Sequence, residues 1–148
     1  METILLRKVS NPSFPYTIEY RLPTISEFKQ LRQSTGWEIL DDLTIEKGLV
    51  NSIFCICITF QNTVIGMGRI VGDGSMYFYI QDVIVLPDFK KKGVGKAIMI
   101  ELEKYINKNA HKNSFIGLMA ATGSKDFYLR FGYKERDVSK PGMYKIMN

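Results

Sequence analysis

The stretch VLPDFKKKGVGKA, residues 85–97, sets three consecutive lysines and two glycines where a strand pattern gives way to a helical one. Like charges repel, and a helix start adds its own partial positive charge. The arrangement therefore either leaves the lysines solvated or answers an anion. The first N–H groups of a helix lack internal acceptors, and glycine lets a phosphate come close to them. Two phosphate motifs fail on residue identity. In the dinucleotide fingerprint the third glycine after Gly93 and Gly95 is Ile98. In the Walker loop Lys90 stands at the first glycine, and Ala97 replaces the Ser or Thr after Lys96. What remains is a short cradle over Lys91, Lys92, Gly93, Val94, Gly95 and Lys96, with Lys90 on its rim. Taken alone it reads equally as a tight turn with solvated lysines.

Other residues could do chemistry. Asp82 is a carboxylate inside an otherwise apolar strand, where desolvation raises a carboxyl pKa toward that of a useful base. The rival reading is a side chain hydrogen-bonded into the fold. TGWEILDD, residues 35–42, gathers Trp37, Glu38, Asp41 and Asp42, a set suited to a cationic amine with an aromatic portion. Its rival is a helix terminus with solvated acids. His111 is the only histidine and lies in the polar run NKNAHKNS, which reads as a loop. Cys55 and Cys57 are two apart in a strand pattern, so they share a face and are poorly placed for a mutual disulfide. With no Cys-x-x-Cys pair and one histidine, a zinc cage is set aside and no metal is expected.

These residues need elements to hold them. FPYTIEYRL (14–22) alternates like a first strand, ended by Pro23. Thr24 with Glu27 forms a capping-box signature ahead of Ile25, Phe28 and Leu31. A second short helix is predicted over 44–50. Three strands follow, 52–60, 63–72 and 76–85, joined at Gln61-Asn62 and at DGS (73–75) as an antiparallel meander. From Gly93 the apolar period is helical through Val94, Ala97, Ile98, Leu102, Tyr105 and Ile106, with Glu101 the exception. A buried strand over 114–121, a short helix over 125–133 stopped by Gly132, and a last strand in MYKIM complete the order. The class is α+β: a mostly antiparallel twisted sheet flanked by helices, with a strand–helix–strand crossover at 76–121.

At 148 residues, 45% apolar and 24% charged, the chain reads as one globular domain, 1–148. The longest apolar run, Ile53 to Phe60, is too short for a bilayer, and METILLRKVS does not read as a signal peptide. A cytoplasmic location is the expectation. The net charge of +5 is spread along the chain without a nucleic-acid motif, so neither nucleic acid nor membrane is an expected partner.

The glycine turn resembles the cofactor motif of the GNAT superfamily, the Gcn5-related N-acetyltransferases. That motif runs Arg/Gln-x-x-Gly-x-Gly/Ala after Val-x-Pro; here Val85-Leu86-Pro87 and Lys90-Lys91-Lys92-Gly93-Val94-Gly95 stand in those places. Lys90 replaces the usual Arg or Gln, keeping charge but losing planar donors. FYLRFGY (127–133) resembles the family's Phe-Tyr-x-x-x-Gly-Phe/Tyr. Shorter pieces, an early GW, IGMGR, DVIV and a late GM, are similar to plant-type serotonin and arylalkylamine N-acetyltransferases.

The resemblance implies acetyl-CoA, with its phosphates at the cradle and lysines. It implies that the pantetheine arm pairs with the backbone of strand 76–85 at Val83 and Val85, in a slot left where strand 114–121 splays away. Attack by a neutral amine then needs a donor for the oxyanion, for which a backbone N–H near Val83 or Ile84 is the candidate. Tyr128 matches the family's tyrosine that serves the departing sulfur. Asp82, or Tyr79 with water, takes the amine proton. The acceptor is expected to be a small cationic or arylalkyl amine held by Trp37, Glu38 and Asp41, with Met67, Arg69 and Met119 as the alternative lining. A protein lysine or N-terminal acetyltransferase and a non-catalytic acyl-CoA sensor stay open as alternatives, and so does a homodimer.

Overall fold

The computed structural model describes residues 13–148, so the reading of METILLRKVS lies outside the described residues. They fall into two compact units, one running to Leu118 and the other Met119–Asn148. The first unit holds a five-stranded sheet in the order β1-β2-β3-β4-β5. Its strands are β1 Thr17–Glu19, β2 Phe54–Phe60, β3 Thr63–Gly72, β4 Tyr77–Val85 and β5 Phe115–Gly117. The first four run antiparallel to their neighbours, and β5 lies parallel to β4. The helices of this unit are α1 Ile25–Gln33, α2 Asp42–Val50 and α3 Val94–Asn109, the last forming the crossover from β4 to β5. In the second unit α4 spans Lys125–Leu129.

Local chemistry explains most of these boundaries. Thr24 caps α1: its hydroxyl accepts the Glu27 N–H at 3.1 Å, and the Glu27 carboxylate accepts the Thr24 N–H at 2.8 Å. Gln61 and Asn62 both take positive φ, as a two-residue hairpin turn requires. At the next turn the Asp73 carboxylate accepts the N–H groups of Ser75, Met76 and Tyr77. Glu101, the acid within the apolar face of α3, is buried and accepts a 2.6 Å hydrogen bond from the Tyr20 hydroxyl, with Lys104 at 2.6 Å. It ties α3 to the chain just after β1.

Both faces of the sheet are covered. Met67, Cys55, Cys57, Val64 and Ile84 pack with Phe28 and Leu31 of α1 and Ile45 and Leu49 of α2. Gly66 and Gly68 flank Met67 and face the other way, where α3 lies with Val94, Ile98 and Leu102. Both cysteines are free thiols in this core, and burial pushes the Cys57 thiol up to about 12 and Cys55 higher still.

Two strands are much shorter than the sequence pattern, and a third does not form. Residues 14–22 contribute three residues to β1, and 114–121 contribute three to β5. MYKIM forms no strand, because alternation alone supplies no hydrogen-bonding neighbour. No helix among the described residues is long and apolar enough to cross a membrane.

The approach of α3 to β3 gives a test of packing. A Cβ on Gly68 would sit 2.5 Å from Ile98 Cγ2 and 3.1 Å from Leu102 Cδ1, both side chains fully buried. Overpacking of this kind costs ~1–3 kcal/mol. Gly68→Ala is expected to lower the melting temperature by several degrees in a thermal scan; an unchanged Tm would show that α3 yields without strain.

Candidate active site

After β4 the chain makes a short 3-10 turn, Pro87–Phe89, then Lys90 to Gly93 lead into α3. Lys91 takes φ +60 and Gly93 φ +83, so the backbone coils tightly before the helix begins. The first helical bond is Ala97 N–H to the Gly93 carbonyl at 3.0 Å. Among the described residues no acceptor meets the N–H groups of Lys91 through Lys96. Lys90, Lys91, Lys92 and Lys96 are all exposed, and none pairs with a carboxylate among the described residues. Lys92 rests 5.7 Å above the Phe89 ring. Six unanswered donors with four free ammonium groups around them fit a polyphosphate anion.

β4 leads straight into this cradle. Its pairing with β5 ends early, at Tyr77–Phe115, Phe78–Ile116 and Tyr79–Gly117. From Ile80 to Val85 that edge has no strand beside it among the described residues, an opening suited to an extended ligand. On its other edge β4 carries a bulge: Arg69 pairs with Gln81 and Met67 with Ile84, so Gly68 faces both Asp82 and Val83.

Asp82 occupies the bulge at φ +52 and is 2% exposed. Its carboxylate meets Arg69 Nε at 2.7 Å, Arg32 Nη1 at 3.4 Å and Gln81 Nε2 at 3.3 Å. Val83 points to the opposite face, toward the Gly68 side packed by α3. Asp82 is thus engaged as an ion-paired acceptor, which argues against the free general base read from its apolar strand. Tyr79, two residues before Gln81, is partly buried, and burial pushes its hydroxyl above the ordinary tyrosine value.

Several expected acceptor contacts have structural partners instead. Met67 is fully buried among α1 and α2 side chains, so it cannot line a mouth. The Arg69 guanidinium is spent on Asp82, the Gly48 carbonyl and the Ser52 hydroxyl. Asp41 is the N-cap of α2; the Thr44 hydroxyl and N–H hold its carboxyl below the usual range. Asp42 pairs with Lys29. Trp37 is half-buried against the core, while Glu38 is exposed beside Ile39, Leu40 and Leu43. The acidic cluster is therefore mostly helix-terminus chemistry, with Glu38 left open.

The second unit carries Tyr128 on α4. Its ring packs edge-on against Phe127 and Tyr133, and burial pushes its hydroxyl above the ordinary value. Met119, also of this unit, is 57% exposed. Arg32 escaped the sequence reading altogether. Its spacing marks a last-turn helix cation, and nothing local signals a partner fifty residues away.

The family model described as "Acetyltransferase (GNAT) domain" matches residues 33–142. The chain belongs to the GNAT family and is an acetyltransferase. Among solved structures it is similar to SA2161 of meticillin-resistant Staphylococcus aureus, a protein of unknown function named a probable acetyltransferase. That match has TM-score 0.85 and 30% identity, covering 89% of this chain and 99% of that one. SP0256 of Streptococcus pneumoniae TIGR4, a GNAT-family acetyltransferase, matches at TM-score 0.74 and 25% identity, covering 90% and 98%. A curated relative, the uncharacterized N-acetyltransferase ycf52 of Porphyra purpurea, is 28% identical over 122 residues, 80% of this chain and 69% of that protein.

The cradle depends on the left-handed turn at Gly93, where open space surrounds the missing Cβ and only φ is restrictive. Gly93→Val is expected to weaken acetyl-CoA binding at least ~10-fold by calorimetry, since each charge-assisted hydrogen bond is worth ~1.5–3 kcal/mol. Gly93→Asn, which tolerates this conformation, is expected to retain most binding. Wild-type affinity in a folded Val variant would reduce the motif to a turn.

Proposed function

We propose that this chain transfers an acetyl group from acetyl-CoA to a primary amine by direct attack. The observation that carries the reading is the run of six unpaired N–H groups with free lysines, reached from the unpaired edge of β4. Members of the GNAT family use acetyl-CoA. When bound, it supplies the acetyl group as an activated thioester.

The residues have distinct tasks in this reading. Backbone N–H groups of Lys91 to Lys96 hold the pyrophosphate, and Lys90, Lys91, Lys92 and Lys96 screen the remaining phosphate charge. The backbone at Val83 and Val85 pairs with the pantetheine arm, and an N–H near Val83 or Ile84 steadies the carbonyl oxygen as negative charge develops there. An amine of pKa ~10 must shed a proton before it attacks. Both Asp82 oxygens are hydrogen-bonded, so Asp82 fixes the bulge, and a water relay past the Tyr79 hydroxyl passes the amine proton out to solvent. Tyr128, matched by motif, returns a proton to the sulfur. The hydroxyl carries its proton at neutral pH, as any tyrosine does, and it is the motif match rather than the upward push from burial that supports the role.

The acceptor in this reading is a small amine. Glu38 faces solvent amid the exposed Ile39, Leu40 and Leu43, next to Trp37. One open acid and several apolar side chains suit a cationic amine with an alkyl or aryl portion better than a polyamine.

Ligand-linked melting tests the cofactor. Acetyl-CoA at about 100 times its dissociation constant is expected to stabilise the fold by ~2.7 kcal/mol. In a chain of this size that is a shift of roughly 5–10 °C. ATP and NAD at equal concentration should give far smaller shifts, and equal shifts for all three would overturn the assignment.

Tyr128→Phe tests the acid with an amine identified by thiol release from acetyl-CoA. The variant keeps the ring, so its Tm should stay near wild type. Its kcat should fall about tenfold or more. Wild-type turnover would return Tyr128 to a packing role.

A further inference from the structure

We propose that Arg32 is a positioning residue that joins the acceptor side of the site to the cofactor strand through one guanidinium. The proposal rests on the acetyl-CoA reading given above. Arg32 stands in the last turn of α1. Its Nη1 faces the Asp82 carboxylate in the β4 bulge at 3.4 Å. From the same planar group, Nε and Nη2 donate to the Glu38 carbonyl at 3.2 and 2.8 Å. The cation lies 5.5 Å from the centroid of Trp37 and 5.7 Å from that of Phe28. The loop also closes on the Arg32 backbone: its carbonyl accepts from the Thr35 N–H at 3.0 Å and the Thr35 hydroxyl at 2.7 Å, and that hydroxyl accepts the Trp37 N–H at 3.1 Å.

The geometry has two consequences. The guanidinium pins the far end of the loop, at the Trp37 ring and the Glu38 carbonyl, and it also braces one side of the bulge that turns β4 toward the cradle. A ligand that moves the β4 edge must therefore move, or be resisted by, the loop bearing Trp37 and Glu38. Second, only a planar, multidentate cation can hold both partners together. A lysine ammonium can neutralise Asp82 or bond the Glu38 carbonyl, but its single compact head does not span the two. Arg69 keeps Asp82 paired at 2.7 Å whatever stands at position 32, so a variant leaves no buried carboxylate without a cation.

Trp37 is the only tryptophan in the chain, so its emission reads this junction directly. Saturating acetyl-CoA is expected to change Trp37 emission in the wild type. It should also slow amide exchange over residues 34–38 as well as over 91–96. Arg32→Gln is expected to bind acetyl-CoA within roughly threefold of wild type by calorimetry, as for a substitution outside the cradle. It should lose both the emission change and the protection at 34–38, while keeping protection at 91–96. Arg32→Lys retains a charge opposite Asp82, guards against a glutamine variant that fails to fold, and should lose the same responses.

A wild type that binds acetyl-CoA without any response at Trp37 or 34–38 overturns the proposal. So does either variant that keeps the full wild-type response. A wild type that binds no acetyl-CoA overturns the functional reading itself, and this proposal with it. Calorimetry on the unmodified chain separates that failure from the others.

Discussion

A carboxylate with 1% of its side chain exposed cannot stand alone, and the first unit is organised around that constraint. Removing such a charge from water costs several kcal/mol, which only close and well-aligned partners offset. Asp82 obtains them from β3 through Arg69, from α1 through Arg32 and from its neighbour Gln81. Arg69 then reaches the Gly48 carbonyl in α2 and the Ser52 hydroxyl beyond it. One ion-paired group thus holds two strands and two helices in a single arrangement. It also sustains a left-handed backbone at an aspartate, a conformation that persists when its surroundings over-determine it.

From that anchor the site follows along the chain. The bulge ends at Val83, β4 runs two residues further, and the 3-10 turn delivers Lys90 to Gly93 at the start of α3. Short covalent distance means that the strand and the cradle cannot drift independently. Glycines at 66 and 68 let α3 lie close to the sheet, so the helix presenting the cradle is fixed by core packing. Preorganisation of this kind spares a bound anion the entropy of ordering its own loop.

Much of this was legible in the sequence because it is local. The Thr24–Glu27 cap, the Gln61-Asn62 turn, the helical period after Gly93 and the glycine cradle each depend on residues within a few positions. What was hidden depends on residues far apart. YFYIQDVIV reads as one continuous, mostly apolar strand, yet pairing with β3 inserts an extra residue at Asp82. Arg32 looks like an ordinary last-turn cation until α1 is packed on the sheet. Asp41 was legible too, since the helix-terminus reading of TGWEILDD needs only Thr44 three residues on to make it a cap. MYKIM shows the converse: a strand-like pattern cannot create the partner it needs.

The two thiols buried between the sheet and α1/α2 bear on what leaves the site. An acetyltransferase acting as proposed releases a free thiol at every turnover. Thiol–disulfide exchange requires a thiolate and access to it. Cys55 and Cys57 offer neither, since both are enclosed and burial keeps them protonated far above neutral pH. They are the only cysteines in the chain. The folded protein therefore presents its own product with no sulfur to couple to, and oxidised coenzyme finds no foothold for a mixed disulfide.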